Sequence, residues 1–202
     1  MPDNSYVRVL HASPDAPPVD VYANGNIIAR NLAYRGFTEY LTVPPGNYNI
    51  RVFPAGSTTN PVIDTNVNVP PRSIFTVAAV GRLAEIGLFP VQDPVMPIPP
   101  GRVMLRFVHL SPNAPNVDVV LPNGTPLFSN VGYRQITNYI PVNPGTYTIY
   151  VRVAGTNQNV LYVPNIRLSS NRFYTVYAVG LAGGNPPLQV LIPLDGNSYI
   201  RP

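Results

Sequence analysis

The 202-residue chain contains no cysteine, no tryptophan and no lysine. Without cysteine, neither a disulfide framework nor a thiolate metal site is open to it. No apolar run approaches the ~20 residues that a membrane-spanning helix needs, so no membrane span is expected. The opening MPDNSYVRV has no charged region followed by an apolar stretch, so no Sec-type signal peptide is expected either. Charge is also scarce, at 11% Asp, Glu, Lys and Arg together, against roughly 25% in an ordinary soluble domain. The surface must then be covered by Asn, Ser, Thr, Tyr and Pro. Weak charge repulsion suits a protein that associates with copies of itself or works outside the cytosol.

All 13 basic residues are arginine, and they stand singly from Arg8 to Arg201. The net charge of +4 therefore lacks the concentrated basic face of a nucleic-acid protein, and no nucleic-acid partner is expected.

What the chain does have is proline, 26 residues of it, and an internal repeat. Residues 8–21 read RVLHASPDAPPVDV and residues 106–119 read RFVHLSPNAPNVDV. Further on, V-P-P-G-N-Y-N-I at 43–50 matches V-N-P-G-T-Y-T-I at 142–149, and F-T-V-A-A-V-G at 75–81 matches Y-T-V-Y-A-V-G at 174–180. Such matches, all in one order, imply duplication. The first repeat is assigned to residues 1–93, the second to 102–194, and the proline-rich 94–101 forms a stiff, extended connector.

Within each copy the apolar residues alternate with period two, as in Tyr6-Val7-Arg8-Val9-Leu10 and Tyr48-Asn49-Ile50-Arg51-Val52. Pro44-Pro45-Gly46, Asn143-Pro144-Gly145, Asn24-Gly25 and Asn123-Gly124 read as turns between strands. No segment has the caps and composition of a long helix. The expected fold class is all-β: two tandem β-sandwich domains, with a closed barrel as the alternative.

H-A-S-P-D-A-P-P-V-D-V at 11–21, its echo at 109–119, and the V-P-P-G-x-Y and T-V-x-A-V-G elements resemble a bacterial domain-of-unknown-function family, DUF4397. The resemblance covers both copies. It implies an immunoglobulin- or transthyretin-like sandwich on cell-envelope or secreted proteins, and no set of catalytic residues.

Three candidate sites compete with plainer readings. His11, Asp15 and Asp20 form a metal set on paper, echoed by His109, Asn113 and Asp118, but each loop supplies few ligands. Ser13, His11 and Asp20 can be written as a triad, yet Ser13 precedes a proline in a pattern that recurs at Ser111 and lacks a nucleophile elbow. The plainer reading makes His11, Ser13, Asp20, His109, Ser111 and Asp118 a structural loop motif. Tyr34-Arg35 and Tyr133-Arg134 are a candidate platform for surface glycans. No catalytic, cofactor or metal site is expected, and the chain is not expected to be an enzyme.

The tail, 195–202, resembles the beginning: Asn197-Ser198-Tyr199-Ile200-Arg201 echoes Asn4-Ser5-Tyr6-Val7-Arg8. This suggests a spare first strand that pairs with, or replaces, the Tyr6-Val7-Arg8-Val9 strand of the next copy, building a filament head to tail. The expected partner is then the protein itself. The functional expectation is a non-enzymatic structural protein of a bacterial surface, fibre or spore coat, located at the cell or spore surface or outside the cell. A surface adhesion or carbohydrate-binding module is the alternative.

Overall fold

The computed structural model describes residues 3–202; Met1 and Pro2, which the first repeat 1–93 includes, lie outside the described residues. Two compact units emerge, one running to Val95 and counting Tyr199–Pro202 with it, the other Met96–Ser198.

The first unit contains β1 (Ser5–His11), β2 (Val19–Ala23), β3 (Asn26–Leu32), β4 (Leu41–Val43), β5 (Gly46–Pro54), β6 (Ile63–Val69), β7 (Ile74–Val80) and β8 (Gly87–Gln92). They form two four-stranded sheets in the orders β4-β1-β7-β8 and β3-β2-β5-β6. The second unit repeats the plan with β9 (Val103–His109), β10 (Val117–Val120), β11 (Pro126–Val131), β12 (Ile140–Val142), β13 (Gly145–Val153), β14 (Asn159–Leu168), β15 (Arg172–Val179) and β16 (Gln189–Leu191). Its sheets run β12-β9-β15-β16 and β11-β10-β13-β14. Both units are sandwiches with open sheets, not closed barrels, and among the described residues the only helical pieces are two three-residue 3-10 turns.

Period-two alternation explains which face each strand buries. On β5, Ile50 and Val52 face the opposite sheet while Asn49 and Arg51 point outward, hydrogen-bonding Asp64 on β6. One pairing is invisible to alternation alone. β1 runs parallel to β7, with Val9 opposite Val77, and β9 runs parallel to β15, with Phe107 opposite Val176. The first strand of each copy therefore lies inside its sheet, between β4 and β7 or between β12 and β15.

The Asn24-Gly25 turn has positive φ at both residues, 49° and 80°, the backbone that a two-residue hairpin of matching twist requires. Its counterpart is one residue longer and closes differently. The Gly124 amide donates to Leu121, and Asn123 accepts from the Thr125 amide through its side chain.

Candidate functional site

The repeated H-x-S-P motif sits where β1 leaves its sheet, and the structure shows what each of its side chains does. The His11 ring is fully buried, with Nε2 2.9 Å from the Pro17 carbonyl and Nδ1 accepting the Ser13 amide at 3.3 Å. A carbonyl only accepts and an amide only donates, so the ring is the neutral Nε2–H tautomer, with both nitrogens satisfied. Burial lowers the His11 pKa from its ordinary 6.5, and the Pro17 carbonyl opposes this in part. His109 repeats the arrangement, with Pro115 at 3.0 Å, Ser111 at 3.3 Å and a pKa lowered by burial.

Ser13 Oγ donates to the Gly81 carbonyl at 2.6 Å, and Ser111 Oγ to the Gly180 carbonyl at 2.7 Å. The glycine of T-V-x-A-V-G is needed at the second site: at φ +89°, a Cβ on Gly180 would lie 2.1 Å from the Pro187 carbonyl oxygen. Asp20 accepts amides from Asn31 at 2.8 Å and Gly56 at 2.9 Å, one per carboxylate oxygen, and these bonds lower its pKa. Asp118 accepts the Asn130 and Gly155 amides at 2.7 and 2.9 Å, again one per carboxylate oxygen. Asn31 and Asn130 both have left-handed φ, 49° and 53°, a backbone that an aspartate anchor and an asparagine side chain help to tolerate.

These contacts decide between the paper sites. His11 and Asp20 do not converge: each is committed to its own loop, and Asp15 accepts the Leu83 amide at 2.7 Å. In the second copy Asn113 exchanges two hydrogen bonds with Ala182, at 2.8 and 3.1 Å. No cluster of three or more metal-ligating side chains occurs among the described residues. The triad fails on geometry, because His11 faces the amide of Ser13 while the hydroxyl points to Gly81. Tyr34 and Tyr133 stand edge-on to His11 and His109 at 6.1 and 6.3 Å, half-buried against the motif rather than forming an open platform.

Sequence reasoning missed a second duplicated constellation on the opposite face of β1. Arg8 alternates with Val7 and Val9, points away from the inter-sheet core, and is 5% exposed. Its guanidinium lies over Phe37 and Tyr40 at 4.9 and 4.8 Å, and its Nε donates to Thr76 at 2.8 Å. Tyr40 donates to the buried carboxylate of Asp93 at 2.9 Å. Arg106, Thr175, Tyr139 and Asp195 reproduce this, with Tyr139–Asp195 at 2.6 Å and Arg106–Asp195 at 4.0 Å. The available signal was an arginine in the middle of an apolar strand in both copies.

That network changes the meaning of the tail. Asp195 is fully buried in the second unit, its amide bonded to the Phe173 carbonyl. Gly196–Ser198 is a 3-10 turn, and Ser198 Oγ accepts the Phe173 amide at 2.8 Å. Asn197, Ser198, Tyr199, Ile200 and Arg201 form no strand. Tyr199 lies edge-on to Tyr40 at 6.3 Å. Of Tyr6, Val7, Arg8 and Val9, read as a recipient, the first two pair with both β4 and β7; Arg8 and Val9 pair with β7, and the Val9 carbonyl accepts the Thr38 amide on the other side. Addition of a strand there has no free edge to use, because β7 pairs with the very residues that a donor would need.

The sequence matches the family Domain of unknown function (DUF4397) over residues 5–120 and 120–201. The chain belongs to this family. As a member it carries the duplicated motif described above, and the first match runs past the connector into β10. Among proteins with curated descriptions, none matches the sequence. Three solved structures show limited likeness. The C-terminal domain of AlgF from P. aeruginosa is 16% identical, covering 46% of this chain and 98% of that one at a TM-score of 0.36. CBMbc, a family CBM26 module of Amy13K from Eubacterium rectale, solved with maltoheptaose, is 7% identical, covering 96% and 99% at a TM-score of 0.30. A streptococcal virulence factor that binds alpha-glucan is 12% identical, covering 98% and 100% at a TM-score of 0.26. Values this low carry no statement about function.

Proposed function

We propose that this DUF4397 protein is a non-enzymatic structural component of a bacterial surface, its two sandwiches acting as building modules. The observation that carries this reading is the complete engagement of His11, Ser13 and Asp20, and of His109, Ser111 and Asp118, in holding loops. Imidazoles with both nitrogens bonded to backbone, and hydroxyls that donate to a carbonyl and not to a base, are not poised for proton transfer or attack. A surface poor in charge supports close approach of neighbouring copies.

Within this reading, head-to-tail assembly into a fibre or spore coat requires the tail beyond Asp195 to leave its place beside Phe173. The test compares the full chain with a chain ending at Ser198, which keeps Asp195 and the Ser198 hydrogen bond, by negative-stain electron microscopy and light scattering. Fibres from the full chain that disappear on truncation support tail-mediated assembly. Monomers from both overturn it.

One observation favours the second reading, a glycan-binding module. Tyr150 and Tyr162 are paired across β13 and β14 with ring centroids 5.2 Å apart, and Tyr162 is 56% exposed. Arg152 and Asn159 lie alongside, hydrogen-bonded at 2.8 Å. An exposed aromatic surface flanked by amide and guanidinium donors is suited to stacking on a sugar face and bonding its hydroxyls. Binding on a glycan array that Tyr162→Ala abolishes supports it; binding unchanged by that substitution overturns this assignment.

A further inference from the structure

The first unit encloses a cavity of about 70 Å³ between its two sheets, whereas the matching space in the second unit measures about 10 Å³. The residues explain the difference. Strand register places Val9 where the second copy has Phe107, and Ala29 where it has Phe128. In the second copy these two rings stack on each other, centroids 6.2 Å apart. Val67 and Val69 likewise stand where Ile166 and Leu168 stand. All four differences remove side-chain volume from the first interior, while Leu88 in place of Val190 and Leu32 in place of Val131 each return one methylene. A space left by four changes in one direction is a property of this copy, since the same backbone plan is filled in its neighbour.

The walls present only apolar surface, mostly from valine, leucine, isoleucine and alanine side chains, with His11 and Tyr48 completing the lining. Water finds no hydrogen-bonding partner there, and a polar guest would lose its own without replacement. A hydrocarbon loses nothing on entry and restores the dispersion contacts that the gap forfeits. The volume is roughly half of the ~150 Å³ apolar cavity known to take up benzene, which suits the end of an alkyl chain better than a ring. Beside it runs a groove of about 740 Å³ between the edge strands β6 and β8. Val7, Val67, Val69, Val77 and Leu88 line both spaces, so the groove leads to the cavity. At the groove's rim Asn66 and Asn68 supply uncharged polar groups.

We infer that the first domain binds an aliphatic amphiphile, the end of its chain in the inter-sheet cavity and the remainder along the β6–β8 groove. The test titrates the full chain, labelled at its valine, leucine and isoleucine methyls, with 1-hexanol and follows the methyl resonances by NMR. Saturable shifts at Val9, Val67 and Val69, with Val119 and Val176 of the second domain unmoved, are expected. The double substitution Val9→Phe and Ala29→Phe, which copies the second domain, is expected to abolish them. Should that variant not fold, Val67→Ile with Val69→Leu adds only one methylene at each site and is expected to weaken binding. Absence of saturable shifts, equal shifts in both domains, or affinity unchanged in a folded filled variant would overturn the inference.

Discussion

The two halves of the molecule share one strand order and equivalent strand registers and differ in what that framework encloses and displays. The retained part is polar and buried: the histidine, serine and aspartate of the loop motif, and the Arg–Thr–Asp–Tyr network behind β1 and β9. The varied part is the apolar interior, where Val9 and Ala29 stand against Phe107 and Phe128, and the outward face of the second sheet. On that face the Arg51–Asp64 ion pair of the first copy occupies the register position of Tyr150 and Tyr162 in the second. Buried polar groups tolerate little change, because losing one partner strands the other away from water. Apolar volume and surface pairs are freer to drift or to acquire separate uses.

The comparison breaks most severely at the buried carboxylates. Asp195→Ala leaves Arg106 and Tyr139 without their shared acceptor and is expected to destabilise the second domain by about 3–5 kcal/mol. Asp93→Ala is expected to do the same to the first, with each domain's loss read from hydrogen exchange of its own strands. Ending the chain at Leu194 removes the same group together with the Asp195 amide and Ser198 hydroxyl bonds to Phe173, and should cost more than Asp195→Ala. Next in size is Phe128→Ala, expected to cost about 3 kcal/mol in chemical denaturation by opening in the second domain the space that the first already has. Replacing the loop aspartate, Asp20→Asn or Asp118→Asn, removes a charged acceptor of two amides, with a loss of roughly 1.5–3 kcal/mol in either copy. Arg51→Ala touches an ion pair whose side chains are 54% and 43% exposed, and should change stability by no more than about 1 kcal/mol.

The histidines add a pH dependence common to both domains. Each folded ring has a pKa below the 6.5 of the unfolded chain, so between those values the unfolded state binds more protons. Stability is therefore full above about pH 6.5 and falls as the pH drops through the lowered folded values. A melting-temperature series that rose on acidification across this window would reverse the assignment.

Much of the framework is legible in the sequence, because period-two alternation and turn residues are local signals. The loop motif is legible for the same reason: His11, Ser13 and Asp20 act on backbone close to them in sequence or at the next strand end. The Arg8 network is not, since its hydrogen-bonding members Thr76 and Asp93 lie 68 and 85 residues away and even Phe37 and Tyr40 are 29 and 32 residues on. Its last member also hides in the numbering: Asp93 and Asp195 are 102 residues apart while Thr76 and Thr175 are 99 apart, so a fixed offset leaves Asp195 in the tail. The likeness of Asn197-Ser198-Tyr199-Ile200-Arg201 to the first strand misleads for a related reason. A five-residue string carries strand propensity, but Asp195 and Ser198 are held by Thr175, Tyr139 and Phe173, and tertiary contacts override local preference. The cavity is a difference between copies, visible only once strand register pairs Val9 with Phe107 and Ala29 with Phe128.

Whether the repeated histidine motif is scaffolding in both copies can be read from long-range ¹H–¹⁵N correlation of the two imidazole rings. His11 and His109 are both expected to show the neutral Nε2–H tautomer at pH 7 and to titrate only below 6.5. A ring in the Nδ1–H tautomer, or one that titrates at or above its ordinary value, would contradict the scaffolding role.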